Sequence, residues 1–297
     1  MQLVERVKIV EVSARDGLQN EPTVVSTEDK ITFINMLSSA GLPVIEVSSC
    51  VSPKWVPQLA DFREVFAGIA MRNTVSYPLL VPNVRGFEDG LGAGAEAVSI
   101  IASASESFSQ KNNNCSIDEG LERCKEIIEQ SVQHNISIRG YVSCTMGCPY
   151  EGPISFSEVT RVTEALYRMG CTEIALSDTI GVGTPGMVQA MIRRVMEKVP
   201  VETLAVHFHD TYGQALVNIF AALQIGVQTV DSSVAGLGGC PYASGASGNV
   251  ASEDLLYMLI GLGIKTDVDL TELVAAGEFI CSVLGRENRS RVAVALR

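Results

Sequence analysis

The stretch Leu204-Ala-Val-His-Phe-His-Asp-Thr-Tyr212 holds two of the chain's three histidines, two residues apart. Residues 204–206 are apolar, so the segment reads as a short strand ending in His207, Phe208 and His209. Side chains two apart on a strand point to the same side. Two imidazoles on one face at the end of a buried strand can chelate a metal. Hydrogen-bonded core histidines or a proton-transfer pair fit the same spacing. What else arrives beside them separates these readings.

The elements around the pair are legible from periodicity. Strands are expected at 7–12, 44–47, 75–81, 97–102, 136–142, 173–176, 204–209 and 227–230, by β-branched and apolar content. Helices are expected from Ser26 to Gly41, over part of 55–69, and at 84–91, 117–134, 157–169, 185–198 and 214–225. Two more follow at 252–259 and 270–284. Eight strands alternating with helices predict a closed α/β (β/α)8 barrel with a C-terminal helical extension. The barrel should span 1–260 and the extension 261–297. An open doubly wound sheet is the runner-up. Its glycine fingerprint is missing after the first strand, where the chain reads Ser13-Ala-Arg-Asp-Gly17.

Barrel active sites lie at the C-terminal ends of the strands. Arg15, Asp16 and Gln19 follow the first strand, and Glu46 ends the second. Asn83, Ser103, Ser105 and Ser143 follow the next three, and Asp178 and Thr179 the sixth. The seventh ends in the histidines. The eighth leads to Asp231, Ser233 and a glycine-rich loop ending at Asn249. Charged or chelating residues at four strand ends do not suit core packing, because a buried charge costs several kcal/mol unless paired or metal-bound. A ligand set follows: Asp16 (carboxylate), His207, His209, and Asn249 (carbonyl oxygen). Mixed oxygen and nitrogen ligands with open positions favour Mg²⁺ or Mn²⁺ over tetrahedral zinc. The loop Ser233-Val-Ala-Gly-Leu-Gly-Gly-Cys-Pro-Tyr242 carries a lone thiol, Cys240, among glycines that permit movement.

Composition excludes other classes. The net charge of −12 over 297 residues argues against nucleic acid and against anionic membrane surfaces. No apolar run approaches the ~20 residues that span a bilayer. Residues 1–6 lack a signal peptide's apolar region, so a cytoplasmic protein with its eight cysteines reduced is expected.

Taken together, these segments resemble the 3-hydroxy-3-methylglutaryl-CoA lyase family of the DRE-TIM metallolyases, nearly end to end. Arg15-Asp-Gly-Leu-Gln19 with Lys30 is similar to the signature shared with isopropylmalate and homocitrate synthases. Asp16, Arg15 and Glu46 match the Asp-Arg-Glu constellation that names the superfamily. The Cys240 loop matches a segment particular to the lyases. So do Val51-Ser-Pro-Lys-Trp-Val-Pro57, Arg139-Gly-Tyr-Val-Ser-Cys144 and Asp178-Thr-Ile-Gly-Val-Gly-Thr-Pro185.

The resemblance implies cleavage of the CoA thioester to acetyl-CoA and acetoacetate, as in leucine breakdown and ketone-body formation. It implies a cation on Asp16, His207, His209 and Asn249. Arg15 would face the thioester enolate, oriented by Glu46. Cys240, alone or with His207, would serve as acid and base, and Asp178 would relay the hydroxyl proton. Gln19 and Arg139 are expected to touch substrate, and Lys54 and Lys111 are further candidates for CoA by charge. A homodimer is implied. The alternatives are a longer substrate such as 3-hydroxy-3-isohexenylglutaryl-CoA, or an acetyl-CoA condensing synthase.

Overall fold

The computed structural model describes residues 3–239 and 248–297. Nine short strands form one sheet: β1 (Lys8–Glu11), β2 (Val44–Ile45), β3 (Ser48–Ser49), β4 (Leu79–Leu80), β5 (Ala97–Ser103), β6 (Ser137–Ser143), β7 (Glu173–Asp178), β8 (Leu204–Phe208) and β9 (Thr229–Ser232). Their order is β2-β1-β9-β8-β7-β6-β5-β4-β3, and every pairing is parallel. β2 and β3 are the two ends of one run, so the sheet closes on itself through residues 44–49. The fold is a (β/α)8 barrel, as expected.

The break in the second strand has a physical cause. Its first half pairs with β1 and its second half with β4. The exchange occurs at Glu46, whose N–H donates to Glu11, while Val47 donates to the Pro78 carbonyl. The third barrel strand is shorter than its sequence pattern because Pro78 and Pro82, which have no N–H, bracket Leu79–Leu80. The last strand is shifted: it was expected at 227–230 and runs to Ser232, which takes Asp231 into the sheet. The helix Glu106–Asn113, capped by the Ser105 hydroxyl, was not expected.

Alternation then assigns the two faces. Ile9, Ile174, Leu176, Val206 and Val230 point outward into the main apolar layer beneath the helices. Leu80, Tyr141, Ala175 and Ala205 pack inside the barrel. Local signals close the helices: Ser116 and Glu119 form a reciprocal capping box on Ile117–Gln133, and Pro185 opens Pro185–Met196. The extension continues as the helices Leu270–Leu284 and Arg291–Ala295. The former packs on the helix Thr27–Ser39 and on the turn Val234–Gly236.

Two buried carboxyls outside the barrel anchor the loops at its mouth. Glu11 accepts from the Ser13 and Val234 amides, at 3.0 and 2.9 Å, and from the Ser252 hydroxyl at 2.5 Å. It thereby ties the loop carrying Asp16 to the loop leading to Asn249. Glu253 accepts from the Ala235 amide with both oxygens, at 3.0 and 2.9 Å. Burial, aided by the nearby Glu11 charge, pushes Glu253 up to about 8 against those hydrogen bonds.

A carboxyl raised on folding stabilises the native state most below its unfolded value, and that contribution is lost as pH climbs through the folded value. Stability should therefore fall between about pH 4.5 and 8 by on the order of 5 kcal/mol from this group. Glu253→Gln should flatten that slope in urea titrations taken across this range. An unchanged slope would show that the carboxyl is not titrating there.

Candidate active site and metal centre

The loop after β1 makes a wide turn at Ser13–Gly17, closed by a hydrogen bond from the Gly17 amide to the Val12 carbonyl at 3.1 Å. This turn aims Arg15 and Asp16 over the barrel mouth. Gly17 cannot be replaced without movement, since a Cβ there would stand 2.8 Å from the Leu237 side chain. The first and last loops therefore touch directly. On β8, the two-residue period carries His207 and His209 inward with Ala205, while Phe208 joins the outer core.

These elements meet at a cavity of about 280 Å³. Arg15, Asp16, Gln19, Tyr141, Ser177, Thr179, His207 and His209 are on its wall. Asp16, His207 and His209 each bring a ligand atom within 4.8 Å of the others, and among the described residues they are the group so disposed. His209 Nδ1 is buried with no hydrogen-bond partner. An unpaired lone pair beside a carboxylate and a second imidazole is what a divalent cation requires, so the residues present fit one.

The electrostatics fit as well. Burial pushes the His209 imidazole down to about 4, with His207 adding to the effect, so it is neutral and able to donate its lone pair at physiological pH. Burial would raise Asp16, but the Arg15 guanidinium, the two imidazoles and the Asn249 hydrogen bond together outweigh it and hold the carboxyl well below its usual range.

Arg15 is 4% exposed and bridges two acids, with Nε on Glu46 at 2.5 Å and Nη1 on Asp16 at 2.6 Å. Its Nη2 has no hydrogen-bond partner among the described residues. The Tyr141 ring lies between Arg15 and Arg139, 5.5 and 4.8 Å from their guanidinium carbons, and its hydroxyl donates to Glu46 at 3.3 Å. Burial holds that phenol protonated.

Not every expected site residue faces the cavity in its expected role. Asn249 reaches Asp16, but through its amide nitrogen, which donates to the carboxylate at 2.7 Å. Ligation through its carbonyl oxygen requires the amide to turn over. Gln19 lines the cavity. Cys240 lies outside the described residues; Gly239 before it lines the cavity.

Asp178 does not line it. Ser177 takes the inward position on β7, so Asp178 points outward, where its oxygens accept from the Val182 and Gly183 amides at 3.1 and 2.8 Å. It organises the loop instead of meeting a substrate hydroxyl, and Ser177 and Thr179 are the polar groups of this segment on the wall.

Arg139 is inward but beneath the cavity floor. Its guanidinium grips Asp231 with two hydrogen bonds, at 2.9 and 2.6 Å, and Glu173 with a third at 2.7 Å. With its donors engaged there, it is not placed to touch substrate. Lys111 sits 3.6 Å from the centre of the Tyr150 ring, and Lys54 is exposed. Sequence reasoning left Tyr141 out of the site, because an aromatic in an apolar strand gives no sign of which face it takes.

Known proteins resemble this chain along nearly its whole length. The HMGL-like family matches residues 6–280. The chain is also 60% identical, over 99% of its length and 90% of the relative's, to the mitochondrial hydroxymethylglutaryl-CoA lyase of Pongo abelii. The chain belongs to the HMGL-like family. Among solved structures of HMGL-like proteins, the hydroxymethylglutaryl-CoA lyase of Pseudomonas aeruginosa superposes with a TM-score of 0.98 at 55% identity, covering 100% of this chain and 99% of that one. An HMG-CoA lyase from Acinetobacter, solved with coenzyme A and 3-methylmalate, superposes with a TM-score of 0.94 at 38% identity, covering 100% and 97%. The Asp16, His207 and His209 cluster, which could hold a metal ion, lies just beyond the C-terminal ends of β1 and β8.

Proposed function

We infer that this chain cleaves 3-hydroxy-3-methylglutaryl-CoA to acetyl-CoA and acetoacetate. The observation that carries the reading is the convergence of Asp16, His207 and His209 beside the buried, permanently charged Arg15. Relatives named for this activity match over nearly the whole chain, so neither a longer 3-hydroxyglutaryl thioester nor a condensing reaction is favoured.

The reaction removes the proton of a tertiary hydroxyl. The oxygen lone pair then forms a carbonyl, the adjacent C–C bond breaks, and its electrons pass into the thioester as an enolate. Protonation of the enolate carbon gives acetyl-CoA. A divalent cation, which we take to be Mg²⁺ or Mn²⁺, would be held by Asp16, His207 and His209, with Asn249 beside them, and would supply the Lewis acidity that makes the hydroxyl acidic.

Arg15 presents Nη2 to the cavity and keeps its charge at every physiological pH, so it is suited to the enolate oxygen. Glu46 and Asp16 hold it in place, which removes the cost of reorganising it during reaction. His207 would spend the lone pair of the nitrogen turned away from Asp231 on the cation, so the hydroxyl proton would pass to the Cys240 side chain. Cys240, one residue beyond the cavity-lining Gly239, would return a proton to the enolate carbon.

The test is direct: the purified protein with Mg²⁺ and the thioester should release acetoacetate, and its absence from metal-loaded protein would refute the reading. Cys240→Ala should lose at least 10²-fold in kcat while Mn²⁺ affinity stays unchanged. Retained turnover would remove the thiol from the mechanism. A homodimer in the cytoplasm completes the proposal, checked by solution mass and cell fractionation. No helix among the described residues is long and apolar enough to cross a membrane.

A further inference from the structure

A chain of charges runs from the exposed Lys8 into the buried barrel interior beneath the cavity. Lys8 Nζ meets Glu173 Oε2 at 2.5 Å, and Glu173 Oε1 meets Arg139 Nε at 2.7 Å. Arg139 meets both oxygens of Asp231, and Asp231 Oδ2 lies 3.1 Å from His207 Nδ1. The barrel register builds this line. Arg139 stands beside Glu173 across β6 and β7, and His207 beside Asp231 across β8 and β9. Asp231 is 1% exposed and Arg139 7%. Thr229 adds a hydrogen bond to Glu173 at 3.0 Å. Burying these charges is costly, and an apolar barrel centre would have been cheaper.

We propose that Asp231, backed by Arg139, is the positioning residue for His207. Its carboxylate holds the imidazole as the Nδ1–H tautomer, so that Nε2 turns its lone pair to the cavity. A carboxylate gripped bidentately by a guanidinium is ionised and only accepts hydrogen bonds. The nitrogen facing it must therefore carry the hydrogen. The Tyr141 ring, edge-on to His207 at 5.8 Å and 86°, fixes the plane of the imidazole. His209 has no such partner, since its Nδ1 is unpaired. The two histidines are thus unequal: one is oriented by an acid and the other is not. Such outer partners raise the basicity of a ligating imidazole and set its direction.

Asp231→Asn tests this. Arg139 still demands acceptors, so the new amide should turn its oxygen to Arg139 and its NH2 to His207. Nδ1 must then accept, and the hydrogen moves to Nε2. In ¹⁵N-histidine-labelled full-length protein, with and without Mg²⁺, the His207 nitrogens should exchange their signatures while those of His209 stay. His134→Gln and His209→Gln assign the signals.

Mn²⁺ affinity should fall about 10–100-fold. Retention of the Nδ1–H tautomer, or Mn²⁺ affinity within about twofold of the parent, overturns the proposal and reduces the charge chain to barrel packing. Should D231N fail to fold, the charge-balanced R139M/D231L variant is measured in its place, with Glu173 still paired to Lys8. Mixed His207 tautomers and weaker Mn²⁺ binding are then expected, and the same results overturn the proposal. The inference rests on the metal-site reading, but the tautomer of His207 is read without metal or substrate, so the two fail separately.

Discussion

Arg15→Lys should lower kcat by about 10³-fold or more while the protein stays folded and still binds Mn²⁺. The reason is geometric. Arg15, on the cavity wall, uses one nitrogen on Glu46 and a second on Asp16, which leaves a third without a partner among the described residues. A lysine ammonium is a point charge and cannot span both acids and still reach a substrate oxygen. Glu46, fully buried, would keep only the Tyr141 hydroxyl at 3.3 Å, so a modest loss of stability should accompany the loss of turnover. Measured by acetoacetate release and by thermal unfolding, kcat within tenfold of the parent would show that any cation at this place suffices. The spanning geometry would then not matter.

Asp16→Asn should weaken Mn²⁺ binding at least 10²-fold and reduce turnover in parallel. Asp16 is the only carboxylate in the three-residue ligand cluster, and the Arg15 charge keeps it ionised well below physiological pH. Its loss removes the one anionic ligand and leaves two neutral imidazoles, which hold hard cations poorly. The Asn249 amide would at the same time lose the oxygen it donates to. Titration of the variant with Mn²⁺, followed by the signal of the free ion, reads the affinity without substrate. Parent-like binding would place the metal elsewhere.

Both predictions use residues that the linear chain already marks. The histidine pair, Asp16, Arg15 and Glu46 stand out because their types oppose burial, and strand periodicity decides which way a histidine on β8 must face. The residues misjudged share a different trait. Asp178 is charged and near the right strand end yet faces outward, and Arg139, in the first half of β6, sits a layer too deep. For Asp178 a shift of one residue reverses the face, and the strand boundary was expected two residues early. For Arg139 the depth depends on how far β6 is staggered against β7, which no local pattern records. Asp231 was noticed but given no role for the same reason: it was placed beyond a strand that in fact contains it.

Composition and periodicity alone determined the barrel, the order of most of its elements and which three residues cluster as candidate ligands. These follow from short-range rules: which residues favour strands, where prolines and glycines interrupt, and which side chains cannot be buried unpaired. The tertiary structure alone decided which partner each polar group meets. It turned the Asn249 amide nitrogen to Asp16, gave Asp178 to backbone amides, and linked Lys8 to His207 through Glu173, Arg139 and Asp231. Such partnerships join residues more than 30 positions apart in most cases, as with the 34 between Arg139 and Glu173. They depend on barrel closure and stagger, which are properties of the assembled sheet and of no single segment.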